Sequence, residues 1–318
     1  MKLHQLRYLV SIADCGSIRA ASRTLGVTQA AITKGLRELE AECGVALFER
    51  NSSGISFTEA GRALQQHAHL VVEQMAKAGE DMAQRRNPTA AARLSIGVTP
   101  WIAQALLPRV LHSFRAEMPH VQLELFEGLS AVAYPRLRDG AIDLLLGRIP
   151  QGKLLTDLDV VPLFSYSATV VARAGHPQEK ARSIHELADE EWILNFTQEE
   201  QSAWQHDLFL QHGAPLPKRI HIAHSASLML NMVQHSDMLT LCPWPLVETD
   251  LLRNAGVQAL LLKEEFALRT VGTLRRRHET PSLPAQRFLA HFAEQIEAGA
   301  TSSDPELRRV FRSIDRLR

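Results

Sequence analysis

The first part of the chain has apolar positions at helical spacing, interrupted by glycines and hydroxyl residues. Leucine, valine and alanine recur every three or four positions up to Gly16, which predicts one helix. Ser17 and Thr28 are suited to cap two further helices. The apolar residues of 47–57 surround a polar turn and predict a short β-hairpin. Three helices followed by a hairpin are the plan of a winged helix-turn-helix, so we expect a DNA-binding domain over residues 1–58.

A single long helix is predicted next, over residues 59–88, where Asn87-Pro88 breaks the pattern. Its apolar positions alternate spacings of four and three: Leu64, Ala68, Val71, Met75, Ala78 and Met82. A seam repeated over several turns is typical of a coiled coil, so we interpret this segment as a linker helix that dimerises with a second copy of the chain. Packing of the same positions against the protein's own wing is the alternative.

Strands and helices alternate after Pro88. The predicted strands are 94–98, 121–126, 142–146, 168–172, 192–196, 219–222, 238–241 and 270–274. The predicted helices are 103–118, 131–138, 204–211, 226–234 and 284–297. Such alternation predicts mostly parallel sheets with ligand loops at the carboxyl ends of the strands. Two sets of elements indicate two lobes with a cleft between them, lobe I at about 92–162 and 268–297 and lobe II at about 163–267.

Composition places the chain among ordinary soluble proteins, with 318 residues, 45% hydrophobic and 22% charged. Lys and Arg balance Asp and Glu at 35 each, so DNA binding must depend on motif geometry and on binding by two copies. No apolar run approaches the roughly 20 residues of a membrane span. The charged start MKLHQLRYLV lacks the apolar core of a secretory leader. We therefore expect a cytoplasmic protein without a membrane partner.

The residues that would support catalysis or a cofactor do not occur at the necessary spacings. Cys15, Cys43 and Cys242 form neither a disulfide framework nor a metal-ligand pattern. His67 and His69 are two apart on a helix and cannot share a face. No phosphate-binding glycine loop or nucleophile elbow is present. We expect no cofactor, no metal and no catalytic residue; an enzyme on a β/α fold is the alternative from another class of function.

One long stretch, GSIRAASRTLGVTQAAITKGLRELEAECGVALFERNSSGISFTEAG at residues 16–61, resembles the DNA-binding domain of the LysR-type transcriptional regulators. The family marks are Ser17, Ala20-Ala21, Leu25, Gln29, Leu36, Leu39-Glu40, Leu47-Phe48-Glu49-Arg50 and Thr58-x-Ala60-Gly61. The segments VVARAGHP, APLPKRIHIAHSAS and SASLMLNMVQHSDMLTLCP resemble the regulatory half of the family. ALLPRVLHSF, EMPHVQLELFEG and LRDGAIDLLLG are similar to the subgroup of regulators that respond to aryl sulfonates, aminobenzoyl-glutamate or sugars.

The resemblance implies an α/β protein overall: an all-α-type winged helix-turn-helix, a long linker helix, and a two-lobed α/β effector domain of the periplasmic-binding-protein type at 92–297. It implies double-stranded DNA with an interrupted palindromic operator as a partner. It also implies a small-molecule effector, self-association into a dimer and then a homotetramer, and RNA polymerase as a further candidate partner. A DNA-binding regulator without a ligand response is the alternative within the same class.

Candidate DNA contacts lie on the third helix, whose N-terminal residues face base edges in a helix-turn-helix. They are Thr28, Gln29, Ala30, Thr33, Lys34 and Arg37. Gln29 is suited to a bidentate contact with adenine, and Ala30 to a methyl contact with thymine. Ser17 is a candidate phosphate contact at a helix N-terminus.

Arg50 and Ser53 are the candidate contacts on the wing. Pairing of Arg50 with an acid, which would brace the wing, is an equal alternative. Two positions depart from the family pattern. Ala30 stands where proline is frequent, and Ser52 and Ser53 stand where the wing often carries basic residues.

Candidate effector contacts lie in the loops at the predicted strand ends: Thr99, Pro100, Trp101, Ser130, Arg148, Asn195, Phe196, Thr197, His224 and Ser225. Thr99 and Ser130 match positions where family members present hydroxyls and amides to an acidic group. The guanidinium fork of Arg148 suits a carboxylate or sulfonate, so we expect a small organic anion. A surface salt bridge is the alternative for Arg148, and a core position is the alternative for Trp101 and Phe196.

The C-terminal tail, residues 298–318, exceeds the family's usual end and is basic. Asp304 and Pro305 favour a helix with Leu307, Val310, Ile314 and Leu317 on one side. Packing on a neighbouring subunit and a solvated tail are both left open. Cys242 is the lone cysteine of the regulatory half, whereas the family's peroxide sensors use two there.

Overall fold

The structure is a computed structural model that describes residues 1–51, 54–87, 91–128, 130–149, 155–195, 198–277 and 279–317. The chain divides into two compact units, Met1–Ala90 and Ala91–Arg318. Each unit has a hydrophobic core of its own. No helix in the described ranges is both long enough and apolar enough to cross a membrane.

The first unit contains three helices, a hairpin and a long helix. These elements are α1 Leu3–Cys15, α2 Ile18–Leu25, α3 Gln29–Cys43, β1 Phe48–Asn51, β2 Gly54–Phe57 and α4 Glu59–Arg86. The hydroxyl caps form as the sequence predicts: Ser17 Oγ accepts from the Ala20 N–H at 3.2 Å, and Thr28 Oγ1 accepts from the Ala31 N–H at 3.1 Å. The winged helix-turn-helix plan is confirmed.

The strands of the second unit are β3 Ala92–Val98, β4 Val121–Glu127, β5 Leu144–Arg148, β6 Leu158–Tyr166, β7 Ala168–Arg173, β8 Glu191–Leu194, β9 Arg219–Ile222, β10 Thr240–Pro243, β11 Val257–Ala259, β12 Arg269–Arg276 and β13 Ile314–Arg316. Its helices are α5 Pro100–Ala105, α6 Leu107–Glu117, α7 Ser130–Arg138, α8 Gln198–Leu208, α9 Ala226–His235, α10 Trp244–Val247, α11 Asp250–Arg253, α12 Leu283–Ala300 and α13 Pro305–Arg312.

Two lobes with separate sheets make up this unit. Lobe I contains a six-stranded sheet in the order β13-β6-β12-β5-β3-β4, in which β3 is parallel to β4 and β5. Lobe II contains the antiparallel sheet β10-β7-β11 and the parallel pair β8-β9. The chain passes from lobe I to lobe II between β6 and β7 and returns between β11 and β12. The predicted α/β fold with two lobes is confirmed. The expectation of mostly parallel sheets is wrong, because β12 runs antiparallel to β5 and β6, and β7 runs antiparallel to β10 and β11.

The prediction of one helix over 103–118 is wrong. Two helices occupy the region, α5 ending at Ala105 and α6 beginning at Leu107. Pro108 lies in the first turn of α6. Proline has no N–H to continue a helix from the preceding turn, but it is favoured where a new helix begins.

Strand β6 was absent from the prediction, because Pro162 lies inside it. Proline is normally excluded from the interior of a sheet. Here Pro162 lies opposite Gly272, beside the irregularity where the register of β6 and β12 shifts between Val271 and Gly272. A missing ladder bond is tolerated at such a site.

The expectation of a solvated C-terminal tail is wrong, and so is that of one helix with Leu307, Val310, Ile314 and Leu317 on one side, because the helix ends at Arg312 and Ile314–Arg316 forms a strand. The tail packs on its own domain, where α13 joins the main core and β13 forms an edge strand beside β6. Leu307, Val310 and Ile314 are buried in that core. The apolar side of the tail therefore has an intramolecular partner.

Candidate functional site

The third helix presents a polar face opposite a buried one. Ile32, Leu36 and Leu39 are buried in the core of the first unit. Gln29, Ala30, Lys34 and Arg37 are exposed, and Thr33 is half-buried. The helix is thus anchored by one side, and its other side is free to enter a groove of DNA.

Two of the predicted hydroxyl contacts bond to the helix itself. Thr28 Oγ1 caps α3, and Thr33 Oγ1 donates to the Gln29 carbonyl at 2.9 Å. The Lys34 side chain is 81% exposed and its Nζ lies 3.9 Å from Glu38 Oε1, a weak pairing at that distance and exposure. Of the predicted contacts, Gln29, Lys34 and Arg37 are the exposed residues with long polar side chains on this face.

The wing is held by a residue whose role the sequence did not indicate. Glu40 Oε1 accepts hydrogen bonds from the N–H groups of Leu47 and Phe48, at 2.8 and 3.1 Å. This carboxylate fixes the start of β1 to α3. The Arg50 side chain and Ser53 lie outside the described residues.

The predicted seam of α4 divides into two parts. Ala68 is buried and Leu64 partly buried in the core of the first unit, which is the alternative that the sequence left open. Val71, Met75 and Met82 are 45%, 50% and 59% exposed. An apolar row of this kind on a surface helix indicates a partner, so the seam proposal narrows to Val71, Met75, Ala78 and Met82.

A cavity of about 90 Å³ lies between the two lobes of the second unit. Five predicted effector contacts line it: Thr99, Pro100, Trp101, Arg148 and Asn195. The remaining described wall is mostly apolar and comes from both lobes: Tyr166, Ala168, Leu194, Ala226, Met229, Leu241, Cys242, Pro243, Leu246 and Arg269. Such a cavity, apolar with few polar groups, is typical of a small-molecule site.

Not all predicted effector contacts reach this cavity. His224 and Ser225 are exposed and lie outside the described lining, and Ser225 Oγ instead caps α9 by accepting from the Leu228 N–H at 3.4 Å. Ser130 begins α7, but its side chain lies outside the described residues, as do Phe196 and Thr197.

Two buried donors in the cavity wall make no hydrogen bond with the described residues. They are the Thr99 hydroxyl, in a residue 7% exposed, and the Trp101 indole N–H, in a residue 1% exposed. A buried polar group without a partner costs about 1–3 kcal/mol. A ligand oxygen that reached these donors would remove this cost.

The sequence missed two polar residues of the wall, Tyr166 and Arg269. Burial raises the pKa of the Tyr166 phenol, and the positive charges of Arg148 and Arg269 oppose that rise. Arg269, at the start of β12, pairs with Asp207 of lobe II at 3.2 Å. Neither residue follows a predicted strand, so the rule that ligand residues lie at the carboxyl ends of strands does not indicate them.

Cys242 is fully buried in the cavity wall, and burial raises the pKa of its thiol to about 12. Since the thiolate is the reactive form, this cysteine is unreactive near neutral pH.

Nowhere in the described ranges do three His, Cys, Asp or Glu side chains converge as a metal site requires.

Comparison with protein families gives two matches that together span most of the chain. Residues 3–62 match the bacterial regulatory helix-turn-helix protein family of the lysR type, and residues 89–297 match the LysR substrate-binding domain. The chain belongs to the LysR family of transcriptional regulators. Its combination of DNA-binding and effector-binding domains is therefore that of a LysR-type regulator.

Individual relatives agree with this assignment along nearly the full length. The HTH-type transcriptional regulator YdcI of Escherichia coli K12, whose function is uncharacterised, is 29% identical over 293 residues, covering 91% of this chain and 94% of YdcI. The dual regulator OxyR of the same organism is 26% identical, covering 94% and 95%.

Solved structures show the same fold. A full-length OxyR variant from Pseudomonas aeruginosa superimposes with a TM-score of 0.66 at 23% identity, covering 100% of this chain and 99% of that one. CbnR in complex with its target DNA gives a TM-score of 0.60 at 21% identity, covering 93% and 100%.

Replacement of the glutamine on the exposed face of α3 tests base reading by this LysR-type regulator. We expect Gln29→Ala to weaken binding to a specific operator by about 1–3 kcal/mol, because one bidentate base contact is lost. The exposed position predicts an unchanged fold. Fluorescence anisotropy with operator and random duplexes measures the effect. Equal losses on both duplexes would show that Gln29 does not read sequence.

Proposed function

We propose that this LysR-type regulator binds an interrupted palindromic operator as a dimer or tetramer, and that a small organic anion in the inter-lobe cavity modulates this binding. The observation that carries the proposal is the apolar cavity with two buried, unpartnered donors, the Thr99 hydroxyl and the Trp101 indole N–H. A binding protein, without catalysis, acting in the cytoplasm accounts for these features. Observations in both units of the chain support this proposal.

The DNA-binding part of the proposal assigns residues 1–58 to operator recognition. Gln29, Lys34 and Arg37 share the exposed face of α3, so side chains suited to bases and phosphates lie together. The net charge of zero leaves little non-specific attraction to DNA. Affinity then depends on specific contacts made twice, at two half-sites.

The self-association part assigns the exposed row of α4 to a second copy of the chain. Val71, Met75 and Met82 lie on one side of the helix at coiled-coil spacing. Two identical helices pairing through this row would place two winged domains on one duplex. Joint engagement of two half-sites raises affinity by roughly 10²–10⁴ over one domain.

For the effector, we assign the cavity to a small organic acid with an apolar body. Donors dominate its polar wall: a hydroxyl, an indole N–H and two guanidinium groups, Arg148 and Arg269. Donors match the oxygens of a carboxylate or sulfonate. Apolar side chains from both lobes, such as Leu194 and Leu246, surround these donors and would hold the remainder of the molecule.

Thr99→Val tests the anchor with a near-isosteric change. We expect ligand binding to weaken by about 0.5–3 kcal/mol, because one hydrogen bond is lost. The unliganded variant should be no less stable than the wild type, since the hydroxyl has no described partner there. Thermal-shift screening of small carboxylates and sulfonates, each beside its neutral amide, identifies the ligand and measures both effects.

Thr169→Val is the matched control, because the Thr169 hydroxyl is buried outside the described cavity lining and donates to the Leu260 carbonyl at 3.4 Å. This variant should lose stability and keep ligand affinity. Neutral amides that bind as tightly as the acids would contradict the anion assignment. A complete absence of stabilising compounds would favour the regulator without a ligand response.

A further inference from the structure

The last helix and strand of the chain lie beyond the part that matches the LysR substrate-binding domain, which ends at residue 297. We call residues 301–317 the C-terminal extension. It comprises α13 and β13, and Asp304 caps the helix by accepting from the N–H groups of Glu306 and Leu307 at 2.9 and 3.2 Å. The extension is therefore a defined element and not a loose tail.

The apolar side of the extension contacts the elements that line the effector cavity. Helix α13 packs against both α5 of lobe I and α10 of lobe II. The Phe311 ring lies 6.4 Å from the Phe164 ring, which lies 5.9 Å from the Trp101 ring in the cavity wall. Leu246, on α10, belongs to the same wall. One continuous core thus connects the extension to the cavity through both lobes.

The backbone of the extension is bonded to the strand from which the chain crosses between the lobes. In the β13–β6 pairing, Ile314 lies opposite Tyr166, the last residue of β6 and part of the cavity wall. The Leu317 N–H donates to the Leu163 carbonyl at 2.9 Å. The extension is consequently part of the lobe I sheet.

Its polar side chains reach across to lobe II. Arg309 pairs with the carboxylates of Glu248 and Asp250, which flank the short connection between α10 and α11. Glu306 accepts a hydrogen bond from the Asp250 N–H at 2.8 Å. In the opposite direction, the Asp304 carboxylate pairs with Arg109 on α6 of lobe I.

We propose that the C-terminal extension is an inter-lobe tie. It is anchored in the lobe I sheet and holds lobe II through Arg309 and Glu306. In this way it sets the relative position of the two lobes that line the effector cavity. Two-lobed domains respond to ligands by hinge or shear motion of one lobe against the other. A tie on the outside of both lobes sets the geometry from which that motion starts. The link from this geometry to effector response rests on the proposed function, whereas the tie itself does not.

Hydrogen–deuterium exchange of the full-length protein, without effector or DNA, tests the tie. We expect Arg309→Gln and Glu306→Ala each to speed amide exchange in residues 244–254 by about two- to fivefold, the change in local opening that loss of a partly exposed ion pair or hydrogen bond produces. Residues 100–106, in the opposite lobe, should exchange faster as well. Residues 184–194, in the separate core of lobe II, should not change.

Arg308→Gln is the matched control. Arg308 is exposed on the same helix, and this substitution removes the same positive charge as Arg309→Gln. Arg309→Lys, which retains the charge, should restore exchange towards that of the wild type. Faster exchange confined to residues 305–317, an equal effect of Arg308→Gln, or no rescue by lysine would each overturn the tie. These outcomes are independent of whether an organic anion is the effector. Point variants carry the test, since removal of the extension would uncover the core around Leu307.

Discussion

Full-length protein with the changes Val71→Glu and Met75→Glu is expected to sediment as a monomer and to lose roughly 10²–10⁴-fold in operator affinity. The two side chains are 45% and 50% exposed on α4, so the charges cost little within a single copy. In a coiled-coil seam, the same charges would face each other across the pairing helices. Each winged domain should still fold, and affinity should fall to that of a single half-site.

Gln66→Glu combined with Ala76→Glu is the charge-matched control, because both residues are exposed on α4 away from the seam. This variant should remain a dimer in sedimentation velocity and bind the operator normally. A Val71→Glu and Met75→Glu protein that stays dimeric would remove the seam assignment.

Gly61→Ala is expected to destabilise the first unit by about 3 kcal/mol, a large value for one added methyl group. A Cβ at Gly61 would lie 2.0 Å from the Leu47 carbonyl oxygen. That oxygen accepts the hydrogen bond from the Thr58 N–H at 3.1 Å, so the backbone has to move and the start of α4 separates from the wing. Calorimetry should show a lower midpoint for the DNA-binding unit and an unchanged one for the regulatory unit.

Gly79→Ala, on the same helix, should have the opposite sign. Nothing lies within 4 Å of a Cβ at Gly79, so alanine should gain about 0.5–1 kcal/mol from its higher helix propensity. Equal stability of the two variants would contradict the close approach of Gly61 to the wing.

The winged domain was predictable because its signals are local. Ser17 and Thr28 cap the helices that follow them, and the glycine after each helix permits the left-handed turn that ends it. The role of Glu40 was not predictable, because its partners at Leu47 and Phe48 are brought to it by the turn after α3. Spacing alone cannot distinguish such a carboxylate from a solvated one.

The effector cavity was predictable where its residues follow strands and unpredictable elsewhere. Thr99 and Arg148 lie at the carboxyl ends of β3 and β5, where β/α folds place their ligands, so the sequence indicates both residues. Tyr166 ends β6, which Pro162 concealed, and Arg269 begins a strand. The packing of the C-terminal tail was not predictable either. Its apolar stripe indicates that the tail packs against another surface, but it does not indicate which surface.

Selection of binding sites from random duplex DNA by the purified full-length protein tests whether two copies of the chain read one operator. We expect enrichment of an interrupted palindrome whose half-sites lie about one helical turn, or a multiple of it, apart, because two copies of α3 would read one face of the duplex. Enrichment of isolated half-sites, or of no sequence above random DNA, would contradict this expectation.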